Sequence, residues 1–479
     1  MLNHIIWFKK NLRVLDNATL LNSDYPKILI YIVEPQLWVQ KDMSLRQWEF
    51  TLESLKDLQN QLSSINLHLN IFSGDALEIF KDIHNKYGIK KVSSEQETGI
   101  KWTYQRDKKI KQFFTSEKIT WQEVPHIGVI RGRHNRNYWA KNFQKEINKP
   151  VLKIQDYFKN SKILEIPKVQ HPQQFYDATP CPQRQQGGTN NAKELLKTFL
   201  DFRGENYQVE MSSPISAEQS CSRLSTHFTY GTLSTREAFH KASSRQKELQ
   251  GTNKIFIRSI NSFLSRLHWR SHFMQKLEDE PSIEDENFIP IYDNLRDSDE
   301  VKLSAWIEGC TGVPFIDACM TYLRNYGWIN FRMRAMLASF AAYNLWLDWR
   351  FYAPRLATLF TDFEPGIHYS QVQMQSGTTG INAIRVYNPY KQSEEQDPQG
   401  LFIRKNIPKL KEIPLNLLHN PENITPFEEH LLPQDWKRPI VDVNQTSKQA
   451  KDRIFSLRKM TNHKILAKSV YIKHGSRKT

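Results

Sequence analysis

The sequence has little cysteine, and its four cysteines lack the spacing of a metal or redox motif. No CxxC pair occurs, so we expect reduced structural thiols and neither an iron–sulfur cluster nor another metal site. No apolar run approaches the roughly 20 residues that cross a bilayer, and no signal-peptide pattern opens the chain. These absences predict a cytoplasmic protein with no membrane partner. The cysteines are Cys181, Cys221, Cys310 and Cys319.

Acidic residues are too few to balance the basic ones. Lys and Arg number 66 against 51 Asp and Glu, which leaves a formal net charge of +15 in 479 residues. Such a charge attracts polyanions and makes their binding depend on salt. Nucleic acid is therefore the predicted partner. The alternative is a generally basic, solvated surface, since no single basic run decides between the two.

The first part of the chain alternates short apolar runs with helical periodicity. Strands are predicted at residues 4–8, 28–33, 67–72, 91–94 and 119–124, and helices at 45–62, 76–87 and 103–114. This order predicts a parallel, doubly wound sheet with helices on both faces. Since GxGxxG and Walker loops are missing, no standard dinucleotide or triphosphate cradle is indicated.

Changes in composition divide the chain into three parts. We expect an α/β domain at 1–130, an interdomain linker at 131–191, where Pro, Gln and Gly accumulate, and an all-α domain at 192–479. The basic tail at 445–479 predicts either a solvated helix with a frayed end or an accessory nucleic-acid contact.

The stretch at residues 306–388 is dense in Trp and Tyr and places charged groups inside an apolar helical pattern. One helix is predicted from about 330 to 349, and Arg334 on this helix can pair with Asp362 in the following loop. A buried Arg–Asp pair stabilises an anionic, electron-rich ring, although a purely structural ion pair is the alternative. The charged groups are Arg332, Arg334, Asp362, Glu364 and His368.

Two further features each allow two interpretations. The segment at 221–225 precedes a helix, where its hydroxyls, amides and guanidinium bind a pyrophosphate or simply cap the helix. The side chains of Trp306, Trp346 and Trp349 either relay electrons to a redox centre or pack in the core.

The chain resembles the photolyase/cryptochrome family over nearly its whole length. Residues 5–20, IIWFKKNLRVLDNATL, are similar to the family's WFRxDLRxxDNxAL opening, and residues 222–239 to its SRLSPxLxxGxLSxR segment. The ELxWRxF, WxxGxTGxPxVDAxM and FRxFNPxxQxxxxDPxGxYIRR elements of the family correspond to residues 263–273, 305–320 and 384–405. Several independent motifs in the family's order make the resemblance specific.

The resemblance implies an N-terminal α/β antenna domain and a helical C-terminal domain that binds FAD in a folded conformation. Photolyases of this family use blue light to pass one electron from reduced flavin to a pyrimidine dimer flipped out of DNA. We therefore expect a light-driven DNA photolyase, monomeric, acting on UV-damaged single- or double-stranded DNA. Two alternatives remain: a cryptochrome-type blue-light receptor without repair, and a flavin-containing nucleic-acid-binding protein without photochemistry.

The resemblance also implies which residues contact FAD. Arg334 and Asp362 match the pair beside the isoalloxazine, and Glu364 stands where an Asp normally accepts from the flavin. His368 matches the position facing N5, where it donates to reduced flavin or protonates its radical, or else bonds only a backbone carbonyl. The expected set is Tyr207, Cys221, Ser222, Arg223, Leu224, Ser225, Trp269, Arg270, Phe331, Arg334, Asp362, Glu364 and His368.

The positions that resemble the lesion-binding face depart from the family pattern. Met374 replaces a stacking Trp, and Arg266 replaces a Glu that bonds the lesion. Phe331 and Ala335 stand in place of an Asn and a Met. The expected substrate-binding residues are Arg266, Trp269, Arg270, Asn330, Arg332, Ala335, Met374 and Arg385.

The expected electron-transfer route departs from the family as well. Trp306 and Trp349 match the outer and middle members of its Trp triad, but Val372 stands at the flavin-proximal position. We expect photoreduction to survive by a rerouted or slower path through Tyr369, Tyr343 or Trp346. The expected catalytic groups are His368, Arg334, Asp362, Trp306, Trp349, Trp346 and Tyr369.

The antenna domain lacks one family feature. Residues 99–107, GIKWTYQRD, do not contain the Asn-Glu pair that holds folate in the folate-binding subgroup. We therefore expect either a second antenna chromophore of unknown identity or none.

Overall fold

A five-stranded parallel sheet forms the first part of the chain in the computed structural model, which describes residues 3–21, 26–132, 136–153, 157–165, 170–433, 436 and 438–475. The strand order is β3-β2-β1-β4-β5. The strands are β1 Asn3–Phe8, β2 Lys27–Val33, β3 Leu69–Ser73, β4 Ile89–Glu95 and β5 Thr120–Val124. The predicted parallel, doubly wound sheet is confirmed.

Helices cover both faces of the sheet because the strands carry apolar side chains on both sides. Ile5 and Trp7 of β1 pack on one face with Phe80 and Phe114, and Ile6 and Phe8 pack on the other with Leu55 and Leu58. The helices of this part are α1 Pro35–Trp38, α2 Leu45–Ser63, α3 Ala76–Tyr87 and α4 Lys101–Ser116. The three helices predicted here are confirmed.

In its described residues the segment predicted as a linker carries helix α5 Trp139–Ile147 and the start of the helix that begins at Thr189, and it makes close contacts with the sheet part. Gly187 donates its backbone N–H to Glu53 of α2 at 2.7 Å, and Thr189 donates to Asp57 at 2.8 Å. The end of the segment is therefore fixed against α2. The boundaries at 130 and 191 stay predictions.

The rest of the chain is helical and holds the largest apolar cluster. Within the described ranges, no helix combines the length and apolarity that a membrane crossing requires. The helices are α6 Thr189–Thr198, α7 Tyr207–Glu210, α8 Pro214–Ser220, α9 Ser225–Thr229, α10 Thr235–Glu248, α11 Lys254–Asp279, α12 Glu300–Glu308, α13 Pro314–Tyr326, α14 Phe331–Ser339, α15 Trp349–Leu359, α16 Pro365–Ser376, α17 Pro389–Gln396, α18 Leu401–Asn406, α19 Leu415–His419, α20 Val443–Arg458 and α21 Thr461–His474.

The prediction of a single helix at 330–349 is wrong in the second half of that range. Helix α14 ends at Ser339, a wider π-helical turn follows at Phe340–Asn344, and α15 begins at Trp349. Asp348 fixes the start of the second helix, because its N–H bonds the carbonyl of Asp297 at 3.0 Å and its side chain caps α15. Trp346 lies in the break with a φ of 57°, so Trp346 and Trp349 do not share a helix.

The basic tail forms two helices that pack on the body of the helical part. Ile454 of α20 is fully buried, and Asn344 donates to the hydroxyls of Thr446 and Ser447 at 3.0 Å each. Tyr292 and His463 of α21 form a hydrogen bond of 2.7 Å. The prediction of a solvated helix misses this packing. The last four residues of the tail, where its end is predicted to fray, lie outside the described residues.

Candidate functional site

A bidentate ion pair connects α14 with the turn that precedes α16. Arg334 donates through Nη1 and Nη2 to the two carboxylate oxygens of Asp362, at 3.0 and 2.8 Å. Its Nε donates to the carbonyl of Ile329 at 2.7 Å, and its guanidinium lies 4.2 Å from the ring centre of Phe360. The Asp362 side chain is 2% exposed and that of Arg334 26%. The pair expected from the sequence is therefore formed, with its cation partly open to a ligand.

A second buried ion pair links the helical part to the sheet. Arg270 donates to Glu364 at 2.7 Å, and its other terminal nitrogen lies 3.4 Å from His126 Nε2. His126 bonds Glu95 at the end of β4 at 2.8 Å. Burial acts to raise the pKa of Glu95, but Arg13 and His126 outweigh it and lower that pKa to about 2. Glu364 is thus fixed by Arg270 within the protein itself.

The segment at 221–225, between α8 and α9, carries unsatisfied polar atoms. Arg223 has a φ of 60°, in the left-handed region, and its guanidinium lies 4.0 Å from the ring centre of Trp328. In the described part of the chain, Arg223 Nε and Ser225 Oγ are buried without a hydrogen-bond partner. Buried polar atoms are nearly always paired, so these two atoms fit the polar part of a ligand.

Guanidinium groups surround the same segment. Arg203, Arg223, Arg266 and Arg334 all act on the Cys221 thiol, yet burial raises the pKa of that thiol to about 12. Only the last of the four has a salt-bridge partner among the described residues, namely Asp362. Excess positive charge of this kind suits a diphosphate.

The other residues expected near this segment form its apolar support. Tyr207 and Leu224 belong to one apolar cluster, and Cys221 packs against it. Burial raises the pKa of the Tyr207 phenol to about 12, so this side chain stays neutral. Ser222 is half-buried beside them.

His368 of α16 is buried between aromatic rings and bonds the main chain. Its Nε2 lies 2.9 Å from the carbonyl of Ala353, and the ring centres of Phe363 and Tyr369 lie 5.3 and 5.2 Å away. Burial lowers the pKa of His368 to about 4. The ring is therefore neutral near pH 7, and because a carbonyl only accepts, Nε2 carries the proton. Nδ1 is then an acceptor, so a neutral His368 has no second proton to donate.

Exposed aromatic and basic side chains lie along α11 and the start of α14. Arg266, Trp269 and Arg270 are three and four positions apart on α11 and share a face. Phe331 is 52% exposed and Trp269 38%, and the guanidinium of Arg266 lies 5.9 Å from the Phe331 ring. The structure thus brings Arg266 and Phe331 together, whereas the Trp269 ring stacks on Phe273.

The remaining residues expected at the lesion face lie in different settings. Asn330 is buried and donates to the carbonyls of Met211 and Ser212 at 3.0 and 2.8 Å. Arg332 donates to Gln392 at 3.3 Å. Ala335 is buried, Met374 is half-buried and Arg385 is exposed.

A run of aromatic rings reaches His368 from Trp349. The ring centres of Trp349 and Tyr369 are 6.2 Å apart, and Tyr369 contacts His368. Trp306 is fully buried and packs at 5.5 Å from Tyr352. Of the three residues expected to bridge the gap at Val372, Tyr369 thus lies between Trp349 and His368.

Trp346 and Tyr343 lie in a different electrostatic setting. The Trp346 ring is flanked by the guanidinium groups of Arg296 and Arg453, each 4.9 Å from its centre, and Arg296 lies 5.5 Å from the Tyr343 ring. Two nearby cations disfavour a positive charge on the indole. Trp346 is therefore a poor site for a radical cation.

The crevice at the carboxyl ends of β1, β2 and β4 is filled by the chain's own ion pairs. Arg106 pairs with Glu34 at 2.6 Å and with Glu97 at 2.9 Å, and Lys9 pairs with Asp107 at 3.0 Å. These side chains are 4% to 14% exposed. Ligands of doubly wound sheets bind at this edge, where these charged side chains already pair with one another. Whether the domain holds a second antenna chromophore or none stays a prediction.

Sequence reasoning missed residues that come from distant parts of the chain. Asp42 accepts a hydrogen bond from Tyr369 across 327 positions, and no local pattern indicates that contact. Arg203 gave no signal either, because Lys197, Asp201 and Glu205 lie around it and make it one of several charged residues in the segment.

Two family models match this chain. One, described as the FAD binding domain of DNA photolyase, matches residues 263–456, and the other, described as DNA photolyase, matches residues 4–144. The helical part therefore carries an FAD-binding domain of this kind.

Similar proteins include both photolyases and cryptochromes by name. Deoxyribodipyrimidine photo-lyase of Escherichia coli is 26% identical over 475 residues, covering 92% of this chain and 96% of its own. The solved cryptochrome of Synechocystis sp. PCC6803 superposes with a TM-score of 0.84 at 20% identity, over 94% of this chain and 99% of its own. An archaeal photolyase from Sulfolobus tokodaii, solved with two FAD molecules, gives 0.74 at 24% identity over 95% and 100%.

Proposed function

Because the chain belongs to the photolyase/cryptochrome family, we propose that it repairs UV-induced pyrimidine dimers in DNA by light-driven electron transfer from FAD. The observation that carries the proposal is the Arg334–Asp362 pair, held bidentate next to a segment whose other guanidinium groups have no carboxylate partner among the described residues. A neutralised cation beside excess positive charge suits a ligand with an electron-rich ring and a diphosphate.

The residues present fit FAD. Arg223 and Ser225, with their unpaired buried atoms, would hold the diphosphate, and Arg334 with Asp362 would lie at the isoalloxazine. Bound in its reduced form and excited by light, FAD supplies the single electron that splits the dimer. Arg334 favours the anionic form of the ring, while Asp362 keeps that arginine in place.

His368 contributes a fixed acceptor to the same site. Its proton stays on Nε2, bonded to Ala353, so Nδ1 offers a lone pair. Such an acceptor suits an N–H donor. Reduced flavin carries an N–H at N5, the nitrogen that His368 is expected to face, and oxidised flavin does not. The aromatic neighbours of His368 exclude water from this side.

Damaged DNA is the substrate of the proposed reaction. The net charge of +15 attracts the phosphate backbone. Exposed rings at Phe331 and Trp269 offer stacking surfaces, and stacking on a base contributes about 1–3 kcal/mol. A flipped dimer would thus meet aromatic and cationic groups, including Arg266, rather than the family's usual Trp and Glu.

The alternative function is a blue-light receptor with the same flavin and no repair. The side chains expected at the lesion face differ from the family's usual ones, and Met374, which stands in place of the stacking Trp, is only half-buried. These differences favour the receptor. The third expectation, a nucleic-acid-binding flavoprotein without photochemistry, has no structural observation in its favour.

Illumination of the reduced protein with damaged oligonucleotides tests the proposal. Oligonucleotides carrying either a cyclobutane dimer or a (6-4) product are used in single- and double-stranded form, with dark samples as controls. We expect one lesion to disappear in the light only. If flavin is bound and both lesions persist in both forms, the repair proposal is wrong.

A further inference from the structure

A phenol–carboxyl hydrogen bond joins the two parts of the chain beside the aromatic run. Tyr369 Oη donates to Asp42 Oδ2 at 2.9 Å. Tyr369 is 0% exposed and Asp42 1%. The phenol therefore has a carboxylate base within bonding distance, shielded from water.

Neighbouring tyrosines have no such base. The hydroxyl of Tyr343 is buried without a partner in the described part of the chain. The hydroxyl of Tyr352 bonds Ser376 Oγ at 2.7 Å and the Ala338 carbonyl at 3.2 Å, and both are weak bases. Oxidation of a tyrosine makes its hydroxyl strongly acidic, so of these three only Tyr369 has a group that can take the proton.

The surroundings of Asp42 make it a better base than an ordinary carboxylate. Burial raises the pKa of Asp42, and its second oxygen has no partner among the described residues. Burial and the charge of Asp42 also raise the pKa of Glu284 to about 8. The negative charge of Asp42 therefore favours the protonated form of Glu284, which leaves Asp42 as the carboxylate that accepts from Tyr369.

The neighbours of Tyr369 place it on an electron path. Its ring lies between Trp349 and His368, at 6.2 and 5.2 Å between centres. Trp346, by contrast, is held between two guanidinium groups that disfavour its oxidation. The electron path and the proton path therefore meet at Tyr369.

We propose that Tyr369 is a proton-coupled electron donor whose phenolic proton moves to Asp42. The inference rests on the FAD binding of the proposed function. The one-electron oxidant is that flavin in its oxidised form, excited by light, whereas repair uses the reduced form. One electron leaves the phenol ring for that oxidant. The Oη–H bond breaks and an Oδ2–H bond forms on Asp42. The products are a neutral tyrosyl radical and a neutral carboxylic acid, so no unpaired charge is created at the phenol.

Light-induced radicals in the full chain loaded with oxidised FAD test this proposal. Electron paramagnetic resonance and transient absorption identify a neutral tyrosyl radical after blue illumination. We expect the signal in the unaltered chain, its loss in Tyr369→Phe, and its retention in the matched control Tyr343→Phe. In Asp42→Asn the yield falls because the side-chain amide is too weak a base to take the phenolic proton, and Asp42→Glu restores part of it.

Other outcomes overturn the proposal. They are an unchanged tyrosyl signal in Tyr369→Phe, an unchanged yield in Asp42→Asn, or no tyrosyl radical in unaltered protein whose spectrum shows bound flavin. Because folding can suffer in the Asp42 variants, the unaltered chain is also compared in H2O and D2O, where equal rates of tyrosyl formation contradict the proton step. These radicals are read in oxidised protein without DNA, whereas repair is read in reduced protein with damaged DNA, so the two proposals fail separately.

Discussion

A double-mutant cycle on Arg334 and Asp362 measures how strongly the pair at the centre of the site is coupled. The single changes are Arg334→Gln and Asp362→Asn, and the third variant combines them. Breaking a buried pair from one side costs about 3–5 kcal/mol, because the other charge stays buried and unpaired. Arg334 is 26% exposed, and Asn keeps one acceptor, so we expect a coupling energy of about 2 kcal/mol in the free energy of unfolding.

The assay is denaturant unfolding of the flavin-free chain, followed by far-ultraviolet circular dichroism. An exposed pair, Arg355 with Glu300 at 3.1 Å and with side chains 46% and 59% exposed, gives the control cycle. Its coupling should stay below about 1 kcal/mol. Additivity of the central cycle within about 0.5 kcal/mol refutes the view that a strong, desolvated ion pair organises this site.

Three further predictions concern separate parts of the chain. The pKa of His368 is lowered to about 4 in the folded state, so the unfolded state binds more protons between pH 4 and 6.5. The free energy of unfolding should therefore rise with pH across that window, by about 3 kcal/mol from this group. His368→Asn should flatten the slope of unfolding free energy against pH, and an unchanged slope contradicts this. Ile454→Ala should lower the free energy of unfolding by about 2–5 kcal/mol, because the Ile454 side chain is fully buried. The control Ile465→Ala, at a position 65% exposed, should change it by less than about 0.5 kcal/mol. Equal effects would mean that the tail does not pack as described. DNA affinity should fall steeply with salt, and Arg266→Ala and Arg385→Ala should each lower the slope of log affinity against log salt by about 1; slopes equal to that of the unaltered chain exclude these two residues from phosphate contact.

The sheet and the ion pair of the site could both be predicted from the sequence because each depends on local pattern. Strands buried on both faces are apolar throughout, and the helices between them are amphipathic, which fixes a parallel sheet. Arg334 and Asp362 are only 28 positions apart, and the apolar pattern around both leaves few ways to satisfy them. Short sequence distance and the cost of burying a charge together predict the pair.

The features that escaped prediction depend on contacts between distant residues. The break after Asn344 is accompanied by a backbone bond between Asp348 and Asp297, and nothing in the apolar spacing of 330–349 indicates either feature. The partner of Glu364 is Arg270, 94 positions earlier, and that of Tyr369 is Asp42. The tautomer of His368 follows from the carbonyl of Ala353. Such pairings are set by tertiary packing, which a single sequence does not display.

Repeated illumination of the reduced, flavin-loaded chain with dimer-containing DNA tests the central claim most directly. Intact bases are quantified by chromatography, and the flavin spectrum is recorded before and after many turnovers under anaerobic conditions. The account predicts that bases are restored in excess over the flavin while the flavin ends in its starting state, because the electron returns after the dimer splits. A flavin that stays reduced while no bases are restored, or one that is consumed in proportion to the light absorbed, contradicts it.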